Sequence, residues 1–137
     1  MATDVNKYIG IPHYFNTSSF EKCDCLGLIK LFYREHGWPQ TFDDGLPIES
    51  EEDPSGWHRL IRYLNDNFNK VTDIASLQYG DVVIFSINEC VHLGIYLEYG
   101  RMLAMQVPVC YGQTTSTIYR RQWWQGYFKA AYRRKED

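Results

Sequence analysis

Apolar side chains recur at helical spacing in two early segments, and after residue 70 the repeat shortens to that of strands. Leu26, Ile29, Phe32 and Tyr33 mark the first segment, between Asp24 and Gly37. Trp57, Leu60, Ile61, Leu64 and Phe68 mark the second. Val82-Val83-Ile84-Phe85, Val91 to Leu97, Arg101 to Val107 and residues 127–134 then read as strands. Helices first and an antiparallel meander after them predict an α+β fold, with N-terminal helices packed on one side of a small curled antiparallel sheet. The chain has 137 residues, 45% of them apolar, so the expectation is one domain spanning 1–137 with a core of its own.

The punctuation agrees with this order. Asp24 is a good N-cap, because its carboxylate can accept the open N–H groups of the first turn. Gly37 stops the first helix, Gly80-Asp81 makes a turn, and Glu98-Tyr99-Gly100 makes a tight connection. Residues 2–10 start a short helix that ends at Gly10 and the Pro12 turn, and residues 13–22 are irregular. Residues 39–56 carry three Pro, two Gly and six acidic side chains, which predicts a mobile acidic loop.

Net charge is −3, so no general basic footprint points to nucleic acid. Arg120, Arg121, Lys129, Arg133, Arg134 and Lys135 cluster late and read as a solvated strand face and tail. No charged-then-apolar leader opens the chain and no apolar run approaches a membrane span. Synthesis in a cytoplasm without a membrane anchor is the expectation. Aromatic residues reach 16%, enough for a dense core and for an aromatic groove or interface as well.

Four cysteines in such a chain are read as thiols rather than as a disulfide framework. Cys25 falls in the first turn of the first long helix. Partial positive charge and open N–H donors there favour a thiolate and can hold an oxyanion. His92 lies mid-strand in an apolar run; a lone His there is more often a packed residue than a base. A Cys on a helix start together with a His on a strand is, however, what nucleophilic cysteine catalysis requires. Asp24 would slightly oppose thiolate formation. A zinc site is the competing reading, since Cys23, Cys25, Cys90 and His92 all have ligand chemistry. C-x-C is tighter than the usual knuckle, so no metal is expected, and catalysis by a cysteine nucleophile needs no organic cofactor. Cys90 and Cys110 read as bystanders, His36 and His58 as exposed helical residues, and Trp57 as core. Of the adjacent Trp123 and Trp124, at most one points inward.

The stretch Lys22-Cys23-Asp24-Cys25-Leu26-Gly27-Leu28-Ile29 resembles the D-C-x-G-L-v core of the NlpC-type cell-wall cysteine peptidases. Gly80-Asp81-Val82-Val83-Ile84-Phe85 is similar to that family's G-D-l-v-f-F turn and strand, and Val91-His92-Leu93-Gly94-Ile95-Tyr96 to its H-v-G-i-Y strand. The run Leu28 to Trp38 and the closing Trp123 to Arg133 are most like members encoded in bacteriophage tail-assembly regions. The resemblance implies a papain-like fold and hydrolysis of murein stem peptides beside D-glutamate and diaminopimelate. Cys25 would attack the carbonyl carbon and His92 would move the proton. It also implies other tail-tip proteins as partners and the virion tail as location.

The match departs around the site. The family's third polar residue, usually His, orients the imidazole; its position here is Ala104. Gln106 lies two residues on, facing the same way, and is the candidate replacement. The family's Tyr on the oxyanion side is His13 here, the following Gly pair is Asn16 and Thr17, and the Ser after the nucleophile is Leu26. His13, Asp24 and Leu26 are therefore the candidate oxyanion and substrate residues. Retained fold with weakened or lost catalysis, as a structural or assembly component of a tail tip, is the alternative reading.

Overall fold

The structure, a computed structural model, describes residues 5–14, 17–39, 54–87, 90–106 and 115–135. Residues 40–53 of the acidic loop, Asn16, Cys110 and the side chains of Trp57 and Cys90 lie outside the described set. After a 3-10 turn at Asn6–Tyr8 come α1 (Cys25–Glu35) and α2 (Pro54–Asn67). The strands are β1 (Asn69–Val71), β2 (Val82–Ile87), β3 (Cys90–Tyr96), β4 (Met102–Met105), β5 (Ser116–Tyr119) and β6 (Phe128–Arg133), with a short α3 (Arg121–Trp124) before the last. The strands form one antiparallel sheet in the order β1-β6-β2-β3-β4-β5.

Local chemistry sets the boundaries. Asp24 caps α1, and Gly37 follows its end at φ +73, a left-handed position that glycine adopts without strain. The second helix starts at Pro54, not at Trp57 as the apolar spacing predicts. Proline is tolerated at a first helical position because no N–H is needed there. Periodicity does not reveal β1, β5 or α3: each has three or four residues, too few to show a repeat.

Alternation along the strands divides the apolar side chains between two cores. Val82 and Ile84 of β2, Leu93 and Ile95 of β3, and Leu103 and Met105 of β4 pack with Leu28, Ile29, Leu31 and Phe32 of α1. Val83 and Phe85, Tyr96, Met102 and Ala104 face the other way and pack with Trp124 of α3. The sheet is therefore covered on both faces, although the sequence predicts helices on one. Trp124 is the inward member of the tryptophan pair, and its Nε1 donates to the Gly100 carbonyl at 3.0 Å. Trp123 points outward and stays 38% exposed.

The turn before β2 is fixed by a buried ion pair. Asp81 is almost fully enclosed and accepts from Arg133 Nε at 3.0 Å and from its terminal nitrogen at 2.9 Å. Its carboxylate also accepts the Gln78 N–H at 2.9 Å. Arg133 thus corrects the reading of the late basic residues as a solvated face. Arg134 corrects it too, with its guanidinium 4.0 Å from the Trp38 ring centroid. His36 is likewise not an exposed bystander. It stacks on Phe32 at 4.1 Å, and its ring nitrogens meet the Phe32 carbonyl and the Tyr79 hydroxyl, each at 2.7 Å. His58 is exposed, as expected.

Candidate active site

Asp24 leads into α1 with extended backbone, and its carboxylate accepts the Gly27 N–H at 2.6 Å. Cys25 is the first helical residue, half-buried at the edge of the α1-side core. It therefore sits at the positive end of an eleven-residue helix. Leu26 follows, also half-buried against that core. The preceding loop is laid across this first turn. Thr17 O accepts the Asp24 N–H at 3.2 Å, and Ser18 Oγ donates to the Gly27 carbonyl at 2.7 Å. The approach is so close that a Cβ on Gly27 would lie 1.8 Å from the Thr17 carbonyl oxygen. The glycine of the D-C-x-G-L stretch is thus required by packing, and it locks the loop onto the helix start.

His13 is carried to the same end by a parallel bridge with Cys23, two residues before Cys25. The Cys23 N–H donates to Pro12 O at 3.0 Å and the Tyr14 N–H to Cys23 O at 3.2 Å. Cys23 itself is wholly enclosed in the α1-side core. Burial, and secondarily the Asp24 carboxylate, pushes its thiol up to about 12, so it stays protonated. Neither Cys23 nor Cys25 is in a disulfide. Among the described residues no three side chains with ligand chemistry converge on a point that would hold a metal.

His92 lies on β3 opposite Phe85 of β2, and the two rings stack at 5.3 Å with an interplanar angle of 29°. Burial lowers its pKa below the usual histidine range, because the charged imidazolium loses hydration there. The imidazole is therefore neutral at pH 7 and able to accept a proton. Among the described residues no side chain hydrogen-bonds the ring. Helix α1 packs against β3 and β4, but Cys25 belongs to the α1-side core and Phe85 to the core on the other face. The two proposed partners sit on packed elements, α1 and β3.

Ala104 is buried opposite Gly94, in the core that holds Phe85. Gln106 lies one residue beyond the end of β4, and its N–H donates to the Thr115 carbonyl at 3.0 Å. Gln106 is exposed, and its Oε1 accepts from the Thr115 N–H at 3.3 Å and from Thr115 Oγ1 at 3.4 Å. The side-chain hydrogen bonds it makes are with Thr115, not with His92. Sequence reasoning missed Phe85 as a neighbour of the imidazole. The signal was an aromatic at the end of the strand that pairs with the His92 strand.

With this arrangement in view, comparison decides the family. The sequence matches the NlpC/P60 family over residues 10–133, most of its length. The chain belongs to the NlpC/P60 family. The fold of this NlpC/P60 chain agrees with solved structures. It superposes on the NlpC/p60 domain of the peptidoglycan hydrolase SagA with a TM-score of 0.58 at 18% identity, covering 92% of this chain and 89% of that one. NlpC1 from Trichomonas vaginalis matches with a TM-score of 0.62 at 15% identity, covering 95% of this chain. NlpC2 from the same organism matches with a TM-score of 0.62 at 15% identity, again covering 95%. This chain spans 41% of the NlpC1 chain and 43% of the NlpC2 chain. No curated protein matches the sequence. The α+β fold expected from the order of elements is that of these NlpC/P60 structures.

Proposed function

We propose that this chain is a cysteine peptidase acting on the stem peptides of murein. The observation that carries the reading is the placement of Cys25 as first residue of the capped helix α1, in an NlpC/P60 chain whose neighbouring Cys23 is buried as a thiol. His92 accepts the Cys25 Sγ proton as sulfur bonds to the scissile carbonyl carbon. The first-turn N–H groups of α1 face the developing oxyanion, with His13 on the same side. Collapse of the tetrahedral intermediate breaks the C–N bond, and His92 returns its proton to the leaving amine. Water then attacks the thioester, the carboxylate product leaves, and a proton returns to Cys25.

The finer reading is a peptidase carried at a bacteriophage tail tip with other tail proteins as partners. Its support is the resemblance of Leu28 to Trp38 and of Trp123 to Arg133 to tail-assembly members. One observation favours a second reading, a weak or inactive copy serving tail assembly: the orienting position is Ala104, and Gln106 is engaged by Thr115. Digestion of purified murein, with released peptides read by mass spectrometry, separates the two. The peptidase reading expects new amino termini that disappear in Cys25→Ala and fall at least about a hundredfold in His92→Ala. Intact murein with the wild-type protein, or equal release by Cys25→Ala, favours the structural reading.

A further inference from the structure

We propose that Phe85, braced by Trp123, is the positioning residue for the His92 imidazole and does by ring stacking what a hydrogen-bonding third residue does in other members. The inference rests on the reading of His92 as the base. An imidazole needs some fixed neighbour to hold its plane, and the usual polar position is filled here by the buried methyl of Ala104. What meets the ring is Phe85, stacked at 5.3 Å and fully buried. Phe85 is in turn met edge-on by Trp123 at 6.4 Å, and Trp123 lies flat on Tyr119 at 4.0 Å with an interplanar angle of 14°. Tyr127 closes the row at 5.8 Å from Trp123.

This row draws on β2, β3, β5, α3 and the 3-10 turn that follows α3, so it is a tertiary feature and not a local accident of one strand. Stacked and edge-on rings have preferred geometries, and successive pairs restrict one another. A ring clamped in this way keeps its nitrogens in one plane, inclined 29° to that of Phe85. Among the described residues of this row no charged group takes part. Phe85 from β2 and Trp123 from α3 are apolar, Gln106 beyond β4 is neutral, and Ser86 and Val91 flank the pair along the strands. The low basicity of His92 fits the same picture, since burial is its cause.

The test uses Phe85→Leu, Trp123→Leu and Trp123→Phe, each checked for cooperative unfolding. The His92 titration is followed by NMR, and kcat and KM are measured on a soluble murein peptide. Phe85→Leu should move the titration midpoint up toward the ordinary 6.5 and lower kcat roughly tenfold, with KM changed less than about twofold. Trp123→Leu, at a partly exposed site that tolerates change, should move both in the same direction by a smaller factor. Trp123→Phe should restore both. If wild type cleaves nothing, the peptidase reading fails on its own, and the Cys25 alkylation rate at pH 6 takes the place of kcat here. An unmoved midpoint, or an unmoved rate, in Phe85→Leu or (where that variant does not fold) in Trp123→Leu overturns the proposal.

Discussion

One residue, Asp24, separates Cys23 from Cys25, and their surroundings differ in kind. Cys23 is sealed in the α1-side core with its thiol pushed up to about 12, whereas Cys25 is half-buried at a helix start. Iodoacetamide at pH 7 should therefore leave Cys23 of the folded protein unlabelled, which peptide mass spectrometry checks. Gly27 shows a second single-residue constraint. Its missing side chain admits the Thr17 carbonyl, which is backbone and cannot rotate away. Gly27→Ala should cost about 3 kcal/mol, measured by urea unfolding, and should slow Cys25 alkylation by displacing the loop from the helix start. Ala104 is enclosed among Val83, Phe85, Tyr96, Met102 and Trp124. Placing the family's usual residue there, Ala104→His, should destabilise by about 2 kcal/mol through overpacking and should not raise activity.

At the scale of elements, α1 and the turn before β2 depend on a few polar side chains. Asp24→Ala removes the cap on Gly27 N–H and should lower stability by about 1 kcal/mol. Arg133→Met strands the buried Asp81 carboxylate and should cost about 3 kcal/mol, with β6 and the Gly80 turn exchanging amide hydrogens first. The cap was legible because Asp24 precedes a run of helical period, and the Gly80 turn because Gly-Asp precedes an apolar strand. The ion pair was not. Arg133 and Asp81 lie 52 residues apart, and β6 pairs with β2 only through the sheet order. Short elements escaped for a related reason: β1, β5 and α3 are held by partners elsewhere in the chain, so their own residues carry little periodic signal. The Phe85–His92 stack also depends on a strand register, and register is a property of two strands together.

For the whole molecule, burial of neutral titratable groups on both cores shapes the pH dependence of stability. His92 has its folded pKa depressed below 6.5, so its contribution is full above 6.5 and is lost as pH falls through the lower folded value. Cys23 and Tyr8 are raised to about 12 from 9.0 and 10.0, so theirs is full below those values and lost as pH rises toward 12. Urea unfolding from pH 5 to 11 should show stability falling at both ends. His92→Gln should flatten the acid limb only, and Cys23→Ala the alkaline limb in part. The α+β architecture and the Cys25 helix start were legible from order and spacing, because both are chain-local. The relation between Cys25 and His92 was not, because it depends on how α1 lies across β3. That relation is the centre of the account. The most direct measurement is iodoacetamide labelling at mildly acidic pH, mapped over all four cysteines in the wild-type protein and in His92→Ala. The account predicts selective labelling of Cys25 that is lost without His92. Labelling of Cys25 no faster than that of Cys90 or Cys110, or selectivity that survives His92→Ala, contradicts it.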